Sequence, residues 1–589
     1  MFEGKKLKIF SFFVCLFFIS GVGIFSQKKD KISHFLQDLI EKKTESSLTA
    51  WVYFKDKGPH KFQRLQEVRE SLTLQSLKRR RRCGMESLVD EYDIPVYKPY
   101  LQSIKPYLTK VRHESRWLNA VSVEASGEAL RQIAELTFVE KIEKVKVYTF
   151  REPSPKPPSG PKRLPPEAKT HLYDYGPSFF QLNQMDVPKL HDRGYTGEGV
   201  LVCMLDSGFN HLDHAALDHI DIRATWDFVN QDPRVFDEEG MGNGDHGTNT
   251  LGAIAGFQPG QLIGPAFRAS FILGKTENTE WERHMEEDHW VAGAEWADSL
   301  GADIISSSLG YRNRFTHGES DYTSEDMDGE TTVVAQGANI AASRGILIVN
   351  SAGNEGASNP PDNTLVSPSD SPEVLAVGAV NSQGVRVYFS STGPTSDGRI
   401  KPDVMAQGQS VYSAKPEGTD EYEYVSGSSF SCPLTAGAAA LLLEINPSWS
   451  NKDIREAVKL TAGQSHSPDN RRGWGLVDAF DAAFYPLKNI HAPDEFALQR
   501  VENHYGFFIQ YVDQLSWTSD PRNGNRVQSY RIYALRLGEE GQTFVQIAEV
   551  DASTFHFTRR GLLEEETFLY KIVSVDTYGR ESDPTYARI

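Results

Sequence analysis

The chain contains little cysteine, with four residues in a length of 589, and Cys15 lies in an apolar N-terminal run. The other three, Cys83, Cys203 and Cys432, are too few for the dense disulfide framework of small secreted domains. Free cysteine packs as a small hydrophobic residue. We therefore expect Cys203 and Cys432 to be buried thiols, with a bridge between them as the alternative.

Positive charge is outnumbered, since 62 lysines and arginines stand against 80 aspartates and glutamates and the formal net charge is −18. Proteins that bind nucleic acid neutralise phosphates with lysine and arginine, so this balance argues against nucleic acid as a partner. The run KRRRR at residues 78–82 is a local exception. Such a run is usually a solvated helix end, and we interpret it that way.

Long apolar runs are lacking beyond the N-terminus, so we expect no later membrane span. The first residues are basic, residues 9–25 are apolar, and small and polar residues follow. This layout predicts a signal peptide at residues 1–26. The protein is therefore expected to be secreted or associated with the cell envelope, with an uncleaved signal anchor as the alternative.

The length predicts several domains, and the sequence pattern changes along the chain. Residues 47–150 read as a small α+β unit, in which strand, helix and strand follow one another from residue 117. Residues 151–174 are rich in proline and lysine, which predicts an extended, accessible linker. A protease would reach this linker easily.

Residues 175–486 alternate short apolar runs, such as VLVCML and GILIVN, with helical stretches. Continuously apolar strands are typical of a parallel sheet covered by helices on both faces. We therefore predict a doubly wound, mostly parallel α/β domain. Residues 496–589 instead alternate apolar and polar residues with a period of two, as in SYRIYALRL, which predicts an all-β sandwich.

The stretch VSGSSFSCPLTAG at residues 425–437 precedes a buried helical run. Proline is tolerated in the first turn of a helix, so Pro433 predicts a helix start near Phe430. Ser429 would then occupy the N-cap or first turn. By itself this stretch leaves two interpretations, because serine is a preferred N-cap as well as a nucleophile.

Polar residues follow two of the apolar runs: Asp206 ends VLVCML, and Asn354 comes soon after GILIVN. Functional groups collect at the carboxyl ends of parallel strands. His246 lies in a glycine-rich turn and is the usual proton carrier near neutral pH. Together with Ser429, these residues supply the nucleophile, base, orienting carboxylate and oxyanion donor that catalysis by serine requires.

The motifs DSG, HGT, SAGNEG and GSSFSCP, at residues 206–208, 246–248, 351–356 and 427–433, resemble those of the subtilisin-like serine proteases. The order Asp, His, Ser is also that of this family. The resemblance spans about residues 175–486 and implies that Ser429 is the nucleophile and His246 the general base and acid. It implies that Asp206 orients the histidine and that Asn354 donates to the oxyanion.

The resemblance also implies a substrate cleft that binds polypeptides as an added strand, with broad endopeptidase specificity. Three departures from the family pattern, Asn249, Ser428 and Cys432, leave the catalytic groups intact. The implied substrate-binding residues are Ser307, Ser308, Leu309, Gly310, Ala352 and Gly353.

The flanking regions add two further resemblances. Residues 47–150 are similar to the family's inhibitory propeptide, an intramolecular partner, which implies a zymogen that cuts itself between residues 147 and 175. Residues 496–589, with Trp517 and Tyr570, resemble a fibronectin type III module that could bind the envelope or another protein. An inert binding protein that acts through this module is the alternative function.

No cofactor is implied for catalysis. Two segments, HLDHAALDH at residues 211–219 and HMEEDH at 284–289, contain residues that can bind divalent ions. Structural calcium is common in the family, but backbone carbonyls among its ligands leave no sequence signature. We therefore assign no metal site from the sequence.

Overall fold

The structure is a computed structural model that describes residues 31–42, 47–144, 170–240, 244–280, 285–312, 321–357, 363–485, 490–520, 523, 527–537, 543–576 and 581–588. The predicted signal peptide, most of the predicted linker and most of the predicted cleavage interval lie outside these residues. The chain forms two compact units. The first comprises Met1–Pro59 and Pro95–Val145, and the second comprises His60–Ile94 and Lys146–Ile589.

The first unit is an antiparallel four-stranded sheet, ordered β2-β3-β1-β4, with helices packed on it. The predicted strand and helix are confirmed as β3 and α5, and Ser126 caps α5 by accepting from the Ala129 backbone N–H. Helices α2 and α3 lie between β1 and α4 in the sequence but belong to the second unit. The elements up to residue 144 are α1 (His34–Lys42), β1 (Leu48–Phe54), α2 (Lys61–Ser71), α3 (Leu74–Arg82), α4 (Lys98–Ile104), β2 (Lys110–Ser115), β3 (Ala120–Ala125), α5 (Gly127–Glu135) and β4 (Val139–Lys144).

The main domain of the second unit is built on a seven-stranded sheet, ordered β13-β12-β11-β10-β5-β9-β6, in which every neighbouring pair is parallel. Strands β5, β10, β11, β12 and β13 are buried at every residue, which explains their continuous apolarity. The predicted parallel α/β domain is confirmed.

The elements of this domain are α6 (Phe179–Asn183), α7 (Val187–His191), β5 (Leu201–Asp206), β6 (Asp221–Asp227), α8 (Asp245–Ala255), β7 (Phe257–Gln258), β8 (Leu262–Ile263), β9 (Ser270–Lys275), α9 (Met285–Leu300), β10 (Ile304–Ser307), α10 (Val333–Ser343), β11 (Leu347–Ser351), β12 (Val374–Val380), β13 (Val404–Gln407), β14 (Val411–Ala414), β15 (Tyr422–Val425), α11 (Ser428–Ile445), α12 (Asn451–Thr461) and α13 (Ala479–Ala483).

Helix α11 runs through the core of this domain. Among the described residues it is the one helix with the length and apolarity of a membrane span, but 89% of it is buried within the protein, as in a core helix. It begins at Ser428, two residues before the predicted start, so Pro433 lies inside the helix rather than in its first turn. Ser429 is its second residue.

The C-terminal part of the second unit consists of antiparallel strands in two sheets, ordered β16-β17-β20 and β19-β18-β21-β22. Trp517 and Leu515 from the first sheet share one core with Tyr530, Ile532 and Tyr570 from the second. This explains the period-two pattern, because alternate side chains point inward. The strands are β16 (Asp494–Tyr505), β17 (Phe508–Thr518), β18 (Val527–Arg536), β19 (Val545–Asp551), β20 (His556–Leu562), β21 (Phe568–Asp576) and β22 (Thr585–Arg588).

Two expectations about single residues have different outcomes. Cys203 and Cys432 are free and buried, as predicted. The arginine run at the end of α3 is not a solvated helix end, because Arg79 and Arg80 are buried against carboxylates. Sequence composition could not show this, because the carboxylate Asp298 lies more than 200 residues away.

Candidate active site

The carboxyl ends of three adjacent strands form the edge on which the site is built. Strands β11, β10 and β5 are neighbours and parallel, so their carboxyl ends lie together. Asp206 is the last residue of β5, Ser308 follows β10, and Ala352 follows β11. The topology therefore brings the residues at these strand ends to one edge of the sheet, where the sequence predicted that polar residues collect.

Asp206 and His246 form a close pair. Nδ1 of His246 lies 2.7 Å from Oδ1 of Asp206, whose side chain is buried, while about one fifth of the His246 side chain is exposed. A carboxylate accepts, so Nδ1 carries the proton that is donated. Nε2 is then the basic nitrogen of the neutral ring, and the histidine is oriented to accept a proton there.

The glycines of the DSG and HGT motifs allow this pair to meet. A Cβ at Gly247 would lie 2.0 Å from the carbonyl oxygen of Gly208, which is closer than any real contact. Gly208 itself has φ +145, a conformation that side chains rarely adopt. The two turns therefore pack backbone against backbone, which places the start of α8 beside the end of β5.

Thr250 holds the carboxylate from its other side, a contact that the sequence analysis missed. Its hydroxyl donates to Oδ2 of Asp206 over 2.9 Å, and the Ser207 backbone N–H donates to Oδ1 over 2.8 Å. Thr250 lies four residues after His246 in α8, so both side chains are on one face of the helix. That spacing is the signal that could have identified it.

Ser429 lies at the start of α11, where the positive end of the helix favours developing negative charge. The next residue, Phe430, has its ring centroid 5.7 Å from that of His246, so the helix start is adjacent to the imidazole. The Ser429 hydroxyl donates to the carbonyl of Ser308 over 3.3 Å. Helix α8, helix α11 and the residue after β10 therefore meet at Ser429.

Pro433 leaves the carbonyl of Ser429 without its helical donor, because proline has no N–H to bond four residues back. The hydroxyl of Ser308 donates to that carbonyl over 2.7 Å and takes the place of the missing bond. The first turn of α11 is thus fixed to the end of β10. This contact explains how a proline is accommodated inside a buried helix.

The side chain of Asn354 is oriented by Ser428. Both the backbone N–H and the hydroxyl of Ser428 donate to Oδ1 of Asn354, over 2.9 and 3.0 Å. With Oδ1 acting as acceptor, the donor of this amide is Nδ2. The Ser428 hydroxyl also accepts from the Gly353 backbone N–H over 3.2 Å, so the loop after β11 is joined to α11.

The six residues expected to bind substrate do not all have the same environment. The hydroxyl of Ser307 accepts from the indole N–H of Trp290 over 3.0 Å and is therefore engaged in the core. Leu309 and Gly310 are partly exposed, whereas Ser308, Ala352 and Gly353 are buried. The exposed part of this segment is thus Leu309 and Gly310.

Val366 occupies the space between the two glycines of this region. A Cβ at Gly310 would lie 2.2 Å from Cγ2 of Val366, and one at Gly353 would lie 2.9 Å from its Cγ1. The Val366 backbone N–H also donates to the carbonyl of Ala352 over 3.3 Å. The sequence analysis did not identify Val366, because its position depends on a loop that returns from elsewhere in the chain.

Two further ionisable groups lie close to the site. Burial raises the pKa of Glu277, and the neighbouring charge of Asp206 adds to this rise, while hydrogen bonds from the hydroxyls of Tyr311 and Thr276 oppose it. Burial likewise raises the pKa of the Cys432 thiol to about 12, so this thiol is protonated at neutral pH.

The histidine-rich segments do not assemble a metal site in the part of the chain that the structure describes, where no group of three or more His, Cys, Asp or Glu could hold an ion. The Nε2 atoms of His214 and His219 bond to the carbonyls of Glu421 and Phe267. Nδ1 of His289 bonds to the carbonyl of Thr276. His284 lies outside the described residues.

Comparisons with known proteins identify two sequence families along the chain. A sequence model described as "Subtilase family" matches residues 197–475, and one described as "Peptidase S8 propeptide domain, Bacteroidota" matches residues 49–158. The first match contains Asp206, His246, Asn354 and Ser429. The second covers most of the region that was predicted to be a propeptide.

Individual relatives are subtilisins. The chain is 34% identical to subtilisin E of Bacillus subtilis (strain 168) over 285 residues, which are 48% of this chain and 65% of that protein. It is 34% identical to a subtilisin of Bacillus pumilus over 289 residues, 48% of this chain and 90% of that protein. It is 33% identical to subtilisin BL of Lederbergia lenta over 300 residues, 51% of this chain and 96% of that protein. The chain therefore belongs to the subtilase family.

Proposed function

We propose that the protein is an exported serine endopeptidase that is made as a zymogen and cleaves its own propeptide. The observation that carries this proposal is the 2.7 Å bond between His246 and Asp206 beside the start of α11, where Ser429 lies. Subtilisin relatives support the same reaction class. None of the four implied catalytic residues is substituted, which argues against the inert binding protein.

In the proposed reaction, Oγ of Ser429 attacks the carbonyl carbon of a peptide bond while its proton passes to Nε2 of His246. Asp206 stabilises the resulting imidazolium, and Nδ2 of Asn354 donates to the oxyanion. The C–N bond then breaks as His246 returns the proton to the leaving amine, which leaves an acyl group on Ser429. Water attacks the acyl carbon through the same steps and regenerates the serine.

The flanking regions are assigned proposed roles of their own. We expect the propeptide to inhibit the enzyme until the chain is cut between residues 147 and 175. The N-terminal sequence pattern supports export, and the secretion of the protein follows from that proposal. The two C-terminal sheets with their shared core support a fibronectin type III-like sandwich that could dock a protein or the envelope.

The decisive experiment is labelling with a fluorophosphonate probe, which reacts with activated serines and needs no known substrate. We expect label on Ser429, located by peptide mass spectrometry, and none on the Ser429→Ala variant. Ser431→Ala is the matched control, because Ser431 is a buried serine two positions away that donates to the carbonyl of Ala406. That variant should keep its label.

Processing is measured separately in a host without other proteases. Wild-type protein should be cut between residues 147 and 175 and run as two fragments on a denaturing gel, whereas Ser429→Ala should remain full length. The contrary outcome is an absence of label on folded wild-type protein that has been freed of its propeptide. That result would contradict the proposed activity and favour the inert binding protein.

A further inference from the structure

Residues 60–94 are inserted in the sequence of the first unit but belong to the second. Within them, α3 buries one face, formed by Ser76, Arg79 and Arg80, against the ends of α9 and α10. Thr73 caps α3 by accepting from the backbone N–H of Ser76. We call residues 60–94 the strap.

Arg79 uses all three of its guanidinium nitrogens in this contact. Nε donates to the carbonyl of Arg344 over 3.1 Å, Nη1 to the carbonyl of Ala302 over 2.5 Å, and Nη2 to Asp298. The side chains of Arg79 and Asp298 are both 0% exposed. The carbonyl of Arg344 ends α10 and Asp298 lies in the last turn of α9, where a cation is favourable because helix C-termini are negative.

Arg80 joins the strap to the same carboxylate. It makes a bidentate pair with Asp93, a strap residue, over 2.7 and 2.8 Å, and also donates to Asp298 over 2.8 Å. In the opposite direction, Arg344 donates to Asp90 of the strap over 2.6 Å. Each side of the interface therefore supplies an arginine that pairs with a carboxylate of the other side. The interface is largely buried, and a planar guanidinium fits carboxylates well.

A third, less buried pair extends this interface. Arg82 donates to Asp303 over 2.9 Å, and the side chains are 13% and 7% exposed. Gln75 donates to the other oxygen of Asp303 over 3.0 Å. Gly301 leaves room for the strap, since a Cβ there would lie 2.8 Å from Oγ1 of Thr73.

This surface lies at the edge of the sheet opposite to the catalytic residues. Asp303 directly precedes β10, whereas Ser308 directly follows it, so the two mark the amino and carboxyl ends of the same strand. Asp206 lies at the carboxyl end of neighbouring β5. The contacts of the strap are therefore made at a distance from the proposed substrate cleft.

We propose that the strap keeps the N-terminal part of the chain bound to the catalytic domain after the linker is cut, through the surface formed by Asp298, Asp303 and Arg344. The cut itself rests on the proposed function. If the strap left, buried Asp298 would lose both of its guanidinium partners, and two backbone carbonyls would lose their donor. Leaving these buried groups unpaired is costly in a low-dielectric interior. Release of the N-terminal part then requires a further cut within the strap or disruption of these pairs.

The test does not depend on self-cleavage. The full chain carries Ser429→Ala and a recognition sequence for an external site-specific protease within residues 151–169. After complete cutting, we expect the two fragments to elute together in equal amounts from a sizing column in 1 M NaCl, because salt screens buried pairs poorly. Separation of these two fragments under these conditions would overturn the proposal, whereas a failure of the unmodified chain to cut itself would contradict only the proposed function.

Variants then identify the contact responsible. The rate at which a labelled N-terminal fragment is exchanged for unlabelled fragment should rise at least about tenfold in Arg79→Met, because a buried charge loses its partner. It should rise about threefold in Arg82→Gln, whose pair is partly exposed. The matched control is Arg81→Gln on the exposed face of the same helix, which should exchange at the wild-type rate.

If Arg79→Met does not fold, Arg82→Gln, Asp303→Asn and their combination still decide the question. We expect the double variant to release its fragment no faster than the faster single variant, because both changes remove the same pair. Exchange at the wild-type rate in Arg79→Met, or in the double variant, would show that other contacts retain the N-terminal part.

Discussion

The hydroxyl of Ser308 donates a 2.7 Å hydrogen bond to the carbonyl of Ser429. That carbonyl lacks a helical donor because Pro433 lies four residues later. One hydroxyl at the end of β10 thus replaces a backbone hydrogen bond of α11. The position of the proposed nucleophile therefore depends on the neighbouring strand as well as on its own helix.

Ser308→Ala should destabilise the protein by about 1–3 kcal/mol, because a buried carbonyl would lose its donor. The measurement is urea unfolding in the Ser429→Ala background, which keeps the backbone carbonyl and prevents self-digestion. Ser343→Ala is the control, since Ser343 is an exposed serine that bonds to the carbonyl of Ile340 within α10. Equal stability of the two variants would show that the Ser308 bond contributes nothing.

Thr250→Val should lower kcat and leave KM nearly unchanged, because Thr250 is fully buried and its hydroxyl bonds to Asp206. A hydrogen bond to a charged group contributes about 1.5 kcal/mol or more, and a loss of that size in the transition state lowers kcat about tenfold. Thr250→Ser keeps the hydroxyl and should restore most of the activity. Equal kcat in the valine and serine variants would exclude this positioning role.

The proximity of Asp206, His246 and Ser429 was predictable because short motifs place these chemically distinct side chains at strand and helix ends. Continuous apolarity likewise predicted the parallel sheet. Such signals are local, or they follow from topology, so the sequence displays them directly.

The roles of Arg79 and Val366 were not predictable in the same way. An arginine run looks the same whether it faces water or a carboxylate more than 200 residues away. The place of Val366 between Gly310 and Gly353 likewise depends on tertiary packing. In both cases the deciding neighbour is distant in sequence, and neither composition nor periodicity reveals it.

Val366→Gly should shift the preference of the enzyme toward large side chains before the cleaved bond. In the proposed function Gly310 and Gly353 border the substrate cleft, and the isopropyl group of Val366 fills the space between them. Its removal should raise kcat/KM for a phenylalanine peptide relative to an alanine peptide by about tenfold or more. Val458→Ala, a buried valine on α12, should leave the ratio unchanged. An unchanged ratio in Val366→Gly would place the selective surface elsewhere.

His191 should make the stability of the protein fall with pH below about 6.5, the usual pKa of histidine. Its Nε2 donates to the carbonyl of Pro265 over 2.9 Å, so its Nδ1 accepts from the Tyr175 hydroxyl over 2.9 Å and has no place for a second proton. Burial therefore lowers the pKa of His191 to about 4. The unfolded chain takes up this proton between pH 6.5 and 4 and the folded chain does not, so the contribution is complete above pH 6.5 and is lost as pH falls. The full effect is about 3 kcal/mol.

Urea unfolding of Ser429→Ala protein at a series of pH values should show this decline, and His191→Gln, which cannot titrate, should show a shallower one. Parallel pH profiles for the two proteins would mean that other groups cause the decline.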